Sequence, residues 1–152
     1  MGNDRFVYVT YIRTTPEKLW AALIEPEFTR QYWFGFTQKS DWKPDSSWQL
    51  IAADGTLTDS GSVLEIDPPR RLVLSWRNEF KPELNADGYS RATFELEAQQ
   101  EAVKLTVTHE ISVEKSKFIQ AVSSGWPMVL SGLKSLLETG QGLGIIRSPK
   151  AA

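Results

Sequence analysis

Residues 114–140, EKSKFIQAVSSGWPMVLSGLKSLLETG, constrain the fold more than any other part of the chain. Phe118, Val122, Trp126, Val129, Leu133 and Leu136/Leu137 recur at steps of three and four, which draws one apolar stripe down a helix. A stripe of that kind must be buried against a partner surface. The middle of the segment is unusual, because Gly125-Trp126-Pro127 sets a flexible residue, the largest aromatic and a helix breaker side by side. An interior proline loses a backbone hydrogen bond and crowds the preceding turn, at a cost of about 3 kcal/mol. The sequence therefore predicts a bend at this point, or two helical halves, and beside Trp126 a gap that Gly125 and Ser124 do not fill, where core packing gives way to a pocket.

Upstream the periodicity is that of strands. Residues 6–13, FVYVTYIR, are β-branched and aromatic and read as a strand. Thr15 as cap, Pro16 at the first helical position and Glu17 in the first turn then start a helix that Pro26 ends. A second short helix is expected over residues 27–33, stopped by Gly35. From Phe36 the period is two. Strands are expected over 36–43, 48–52, 56–66 and 72–77, with Asp54-Gly55 as a hairpin turn and Gly61 as a bulge. In the 56–66 strand the alternation assigns Leu64 and Ile66 to the inner face and turns Glu65 away from it. Residues 78–89 read as a polar loop. Two more strands follow, in which Ala92, Phe94, Leu96 and Ala98, then Val103, Leu105, Val107, His109 and Ile111, share one face. Hairpin-length connections make the sheet antiparallel. The economical fold is α+β: a curved antiparallel sheet of about six or seven strands gripping the long C-terminal helix, with two short helices after the first strand. The whole chain, residues 1–152, reads as one domain, and residues 141–152 as a flexible tail.

Composition removes several function classes. A net charge of −2 with scattered Lys and Arg gives no nucleic-acid footprint. With no cysteine and one histidine there is no thiolate chemistry and no ligand set for a metal. No phosphate-cradling glycine loop joins a strand to a helix, so no cofactor is expected. The N-terminus lacks a signal sequence, no run approaches a membrane span, and Gly2 lacks the downstream Ser/Thr of a myristoylation site, so a cytoplasmic location is expected.

Several pieces occur in a telling order: Thr15-Pro16-Glu17-Lys18-Leu19-Trp20; Glu25-Pro26 before Tyr32-Trp33; Gly61 and then Glu65 through Leu72 to Trp76; Leu105-Thr106-Val107-Thr108-His109; and Gly125-Trp126 to Leu130, then Leu133 through Gly140. In order and spacing the chain resembles the helix-grip fold of the START-like (SRPBCC) superfamily. It is most similar there to the branch named after the C-terminal domain of the activator of the heat-shock chaperone ATPase, the AHSA type. The resemblance implies a cavity between sheet and helix, with Tyr32 and Trp33 at its mouth.

Six tryptophans exceed what a core of this size needs. Trp33, Trp48, Trp76 and Trp126, with Tyr32, Phe94, Val129 and the inward-phased His109, form the candidate ligand-binding set; no catalytic residue is assigned. The bland alternative for each is core packing, and for His109 it is a hydrogen-bonded interior histidine with no carboxylate in phase. The leading expectation is a binding protein for a small hydrophobic or aromatic molecule such as a lipid, a polyketide or a flavonoid-like compound. A polyketide cyclase/aromatase-like or hydrolytic enzyme using the same cavity is one alternative. A co-chaperone-like interaction with a chaperone, implied by the family resemblance alone, is the other.

Overall fold

The computed structural model describes residues 4–145. Strand β1 (Asp4–Ile12) is followed by helices α1 (Pro16–Ile24) and α2 (Pro26–Tyr32). Strands β2 (Thr37–Ser40), β3 (Ser47–Ile51), β4 (Leu57–Asp67) and β5 (Arg71–Asn78) come next. A single helical turn, α3 (Pro82–Asn85), precedes β6 (Ser90–Gln99), β7 (Ala102–Ile111) and the long helix α4 (Lys117–Thr139). The sheet is antiparallel and seven-stranded in the order β1-β7-β6-β5-β4-β3-β2. Helices α1 and α2 thus carry the chain from one sheet edge to the other, and the remaining strands return as a meander until β7 pairs with β1. Helix α4 crosses the concave face and packs on β1, β7 and all three short helices. This is the helix-grip arrangement.

Local chemistry fixes the helix ends. The Thr15 hydroxyl accepts from the Lys18 amide (3.3 Å), and Pro16 opens α1. At α4 the cap is Ser116: its Oγ accepts from the Ile119 amide (3.1 Å) and donates to Asp87 Oδ2 (2.7 Å). That Asp87 oxygen also accepts from the Phe118 amide (3.2 Å), while Asp4 accepts from the Ser116 amide (3.0 Å). Two carboxylates therefore face the positive end of the helix. Replacing Asp87 by alanine is expected to lower stability by about 1 kcal/mol, read as a lower urea midpoint with an unchanged m-value.

The stripe on α4 is buried as its spacing requires: Phe118, Trp126, Val129, Leu133 and Leu136 are inside, widened by Ile119 and Leu130. Helix α4 runs as one assigned element through Pro127 rather than as two halves. Gly132 lets the helix approach α2, because a Cβ there would lie 3.1 Å from the Tyr32 carbonyl oxygen.

Four readings of the sequence need correction. The 36–43 strand is only Thr37–Ser40, because the chain turns at Trp42 and Asp45, both with positive φ. The 78–89 loop holds α3, whose first turn is opened by Pro82. The bulge in β4 lies between Val63 and Glu65, not at Gly61. Glycine stands at 61 because any Cβ there would overlap the Ser75 carbonyl. The bulge also breaks the assumed alternation: Val63 is fully buried and Leu64 exposed, while Ile66, beyond the bulge, packs against the core as expected. Glu65 does point outward, where it pairs with Arg71 (3.4 Å) and Arg91 (2.9 Å). Of the expected tail, residues 146–152 lie outside the described residues. The Gln141 carbonyl accepts from Ser135 Oγ (2.7 Å), which ties the start of that segment to α4.

Candidate functional site

A cavity of about 190 Å³ lies between the C-terminal helix and the sheet. Phe118, Val122, Gly125, Trp126 and Val129 of α4 form one wall, and Trp76 of β5 the opposite one. Trp33, Phe34 and Phe36 close a third side. Phe34 and Gly35 both have positive φ (53° and 80°), which turns the chain sharply after α2 and brings the two phenylalanines onto the cavity. Phe80, Lys81 and Leu84, on and just before α3, form the remaining side, and all three are only partly buried. The polar groups gather at one end, where Thr58 and Asp59 of β4 meet Asn78 at the end of β5. Gly125 also lines the cavity, and a Cβ added to it would meet nothing within 4 Å. The oddity in the middle of α4 thus coincides with open space.

Trp76 is the centre of the aromatic wall. Its ring lies 5.8 Å from Trp33, 5.6 Å from Trp126 and 4.3 Å from Trp48, and Trp33 and Trp126 are 5.4 Å apart. Those separations are direct ring-to-ring contacts, so the tryptophans form a packed surface with no slot between them.

Behind this wall His109 is completely buried. The Trp126 indole N–H donates to His109 Nδ1 (3.0 Å), so that nitrogen carries no proton. The proton is then on Nε2, which donates to Ser90 Oγ (2.8 Å), and the Ser90 hydroxyl passes its own proton to the Trp76 carbonyl (2.7 Å). Every polar atom of the ring is satisfied in the neutral form, and burial pushes its pKa down to about 3. A neutral imidazole with both nitrogens committed fixes the Trp126 ring; it is not poised to exchange protons near neutral pH.

Asp59 is the opposite case. It is 7 % exposed and lines the cavity. The Trp76 indole N–H donates to its Oδ2 (2.8 Å). Burial raises its pKa to about 6, the Trp76 hydrogen bond partly offsets that rise, and the nearby Glu79 charge adds to it. Glu79 itself resists ionisation through its burial, but hydrogen bonds from Arg77 and Ser60 outweigh this and hold it below the usual carboxylate range.

Of the residues singled out from the sequence, Trp33, Trp76, Trp126 and Val129 meet at the cavity. The other four stand behind its walls. The Tyr32 hydroxyl donates to the Ala22 carbonyl (2.8 Å), and burial drives its phenol pKa upward. Trp48 donates to Gln38 Oε1 (2.9 Å), Phe94 packs edge-on against Trp126 at 5.7 Å, and His109 is held as described. Sequence reasoning missed Asp59 and the α3 side. Asp59, Gly61 and Val63 share strand parity, so phasing β4 on Val63 would have turned Asp59 inward. Among the described residues no cluster of three His, Asp or Glu side chains could hold a metal ion. No described helix is long and apolar enough to cross a membrane.

Residues 13–138 match the model of the family described as Activator of Hsp90 ATPase homolog 1-like protein. No curated protein sequence matches the chain. Similar solved structures include protein MLL2253 from Mesorhizobium loti, with a TM-score of 0.76 at 22% identity over 89% of this chain and 97% of that one. DynU16, a protein of the dynemicin biosynthetic locus, gives 0.76 at 19% identity over 91% of this chain and 49% of the other. PFC0360w, an HSP90 activator from Plasmodium falciparum, gives 0.71 at 20% identity over 88% of this chain and 95% of that one. At such identities the structures establish a shared fold, and the family match over residues 13–138 establishes that this chain belongs to the Activator of Hsp90 ATPase homolog 1-like family, within the START-like, helix-grip group.

Proposed function

We propose that this protein binds a small apolar or aromatic molecule in the cavity between the sheet and α4. The observation that carries this reading is the cavity itself, about 190 Å³, walled mainly by aromatic and aliphatic side chains, with a few polar groups in Thr58, Asp59, Asn78 and Lys81. An apolar cavity of about 150 Å³ suffices to hold benzene. The ligand is therefore of one or two rings, and a long-chain lipid or a polycyclic polyketide would require α3 and its flanks to move. The locus named for DynU16 supports a small-molecule role for this fold. Titration of intrinsic tryptophan emission with phenol, indole and a long-chain fatty acid tests the reading. A saturable response to the single-ring compounds is expected; no saturable response to any of them would sink it.

Gly125 provides a second test. Gly125→Ala is expected to stabilise the protein by about 1 kcal/mol, because glycine inside a helix costs that much relative to alanine and no neighbour obstructs the added methyl. The same methyl takes space from the ligand, so affinity falls as stability rises. Gly125→Leu should abolish binding. Wild-type affinity in Gly125→Leu would place the ligand elsewhere.

Proton-transfer catalysis in the same cavity is the second reading, and Asp59 favours it over His109. A carboxyl group titrating at about 6 in an apolar cavity is suited to general acid–base work. Turnover of any substrate found should then lose its acidic limb near that pH in Asp59→Asn.

A further inference from the structure

We propose that the cavity selects a neutral aromatic ligand bearing a hydroxyl or N–H donor, which it orients by a hydrogen bond to the Asp59 carboxylate. This rests on the ligand-binding reading above and adds the chemistry of the group recognised. A carboxylate has about four lone-pair sites, and the protein supplies few donors to Asp59. Trp76 gives one. Thr58, its neighbour, also lies within hydrogen-bond reach of the carboxylate, although its single hydroxyl proton has the Leu50 carbonyl (3.1 Å) as a competing acceptor. Asn78 approaches from β5; its Oδ1 accepts from the Phe80 and Lys81 amides, so only its amide N–H groups remain to donate. Even with all three as donors, about one of the four sites is left over, on a carboxyl group that lines the cavity.

Charge and ring spacing decide the class of donor. An anionic ligand would meet the Asp59 charge, with Glu79 adding its own. A cation would be drawn to the same carboxylate, but it would have to shed its water among mostly apolar walls, and the three tryptophans, in contact at 5.4–5.8 Å, leave no slot to cage it. A neutral donor on a ring fits both ends: the ring lies against Trp76, Trp126 and Val129, and the donor meets Asp59.

Few other groups titrate around Asp59. On β5 and the loop after it these are Glu79, paired to Arg77 (2.9 Å), and Lys81. The faces of α4 and of residues 33–36 on the cavity carry no charge. On β7, behind Trp76, His109 is neutral. Glu79 stays ionised while Asp59 titrates at about 6, so the carboxylate changes state alone between about pH 7.5 and pH 5.

The test compares phenol with anisole, which has the same ring but can only accept. Binding is followed by NMR through the indole N–H signals of Trp76 and Trp126. At about pH 7.5 phenol should bind on the order of tenfold more tightly, the discrimination a charged acceptor gives. At about pH 5 the protonated Asp59 can donate to the ether oxygen, so the ratio should fall toward one. In Asp59→Asn, whose amide both donates and accepts, the ratio should be near one at either pH. Equal binding of both compounds at the higher pH, or a ratio that survives acid or the Asp59→Asn change, overturns the assignment while leaving the ligand-binding reading intact. Binding of neither compound overturns both.

Discussion

Replacing His109 by alanine is expected to destabilise the protein by about 4 kcal/mol. The ring is 0 % exposed, with Trp76 at 5.2 Å, Phe118 at 5.1 Å and Trp126 at 6.0 Å from its centroid, so truncation leaves a void between sheet and helix. Large-to-small changes in such surroundings cost roughly 2–5 kcal/mol. A second cost is polar. The Trp126 indole N–H loses its acceptor and is left buried, a penalty of about 1–3 kcal/mol. The Ser90 hydroxyl keeps its acceptor, the Trp76 carbonyl, so its share is small. The two costs separate in a double-mutant cycle. With Trp126→Phe in the background there is no orphaned donor, and the penalty of His109→Ala should shrink by about 1–2 kcal/mol. Urea unfolding of the four proteins measures this; full additivity would mean that the Trp126–His109 hydrogen bond contributes nothing net.

This pair also shows how far the sequence reaches. The phase of Val103, Leu105 and Val107 is enough to turn His109 inward, and the three- and four-residue steps of α4 are enough to turn Trp126 the same way. That they meet is a consequence of the helix lying across the sheet, which the antiparallel order implies. The ring's second partner is not legible, because Ser90 lies at the start of β6, 19 residues away in sequence, with nothing in its neighbourhood to mark it. Asp59 escaped for a different reason. Period-two reasoning carries a face assignment along a strand only while pairing is regular, and the bulge between Val63 and Glu65 inverts it. Ile66 is an inner residue, but it lies beyond the bulge, and extrapolating its parity back through Leu64 turns Asp59 outward. The significance of Gly125 depends on what surrounds it. A helix glycine beside a tryptophan and a proline reads as a gap in the packing, and the surrounding side chains show how far that gap extends as a cavity.

Asp59→Asn is expected to stabilise the protein at neutral pH by about 3 kcal/mol, with the gain vanishing toward pH 4. The ordinary Asp value is 3.8, and in the folded protein the group titrates at about 6. Above about 6 the folded state must hold a buried charge that the unfolded chain holds in water, so Asp59 weakens folding there. As pH falls through 6 the folded state takes up a proton and the penalty is relieved, fully so below 3.8. His109 works in the opposite direction. Unfolded, it takes up a proton below 6.5; folded, it refuses one until about 3, so stability is lost as pH falls across that interval. Between roughly pH 4 and 6 the two slopes, one proton each and opposite in sign, nearly cancel. Glu79 and Glu138, both held below the usual range, add to the loss on the acid side. The wild-type protein should therefore show a shallow plateau across that window and a steep fall below it. Asp59→Asn removes the compensating gain, so its stability starts higher at pH 7 and declines from about 6.5 onward without a plateau. Urea unfolding at closely spaced pH values compares the curves directly. A difference between wild type and Asp59→Asn that does not change with pH would show that Asp59 titrates near its ordinary value, and that the carboxylate is in effective contact with water rather than buried against the tryptophan wall.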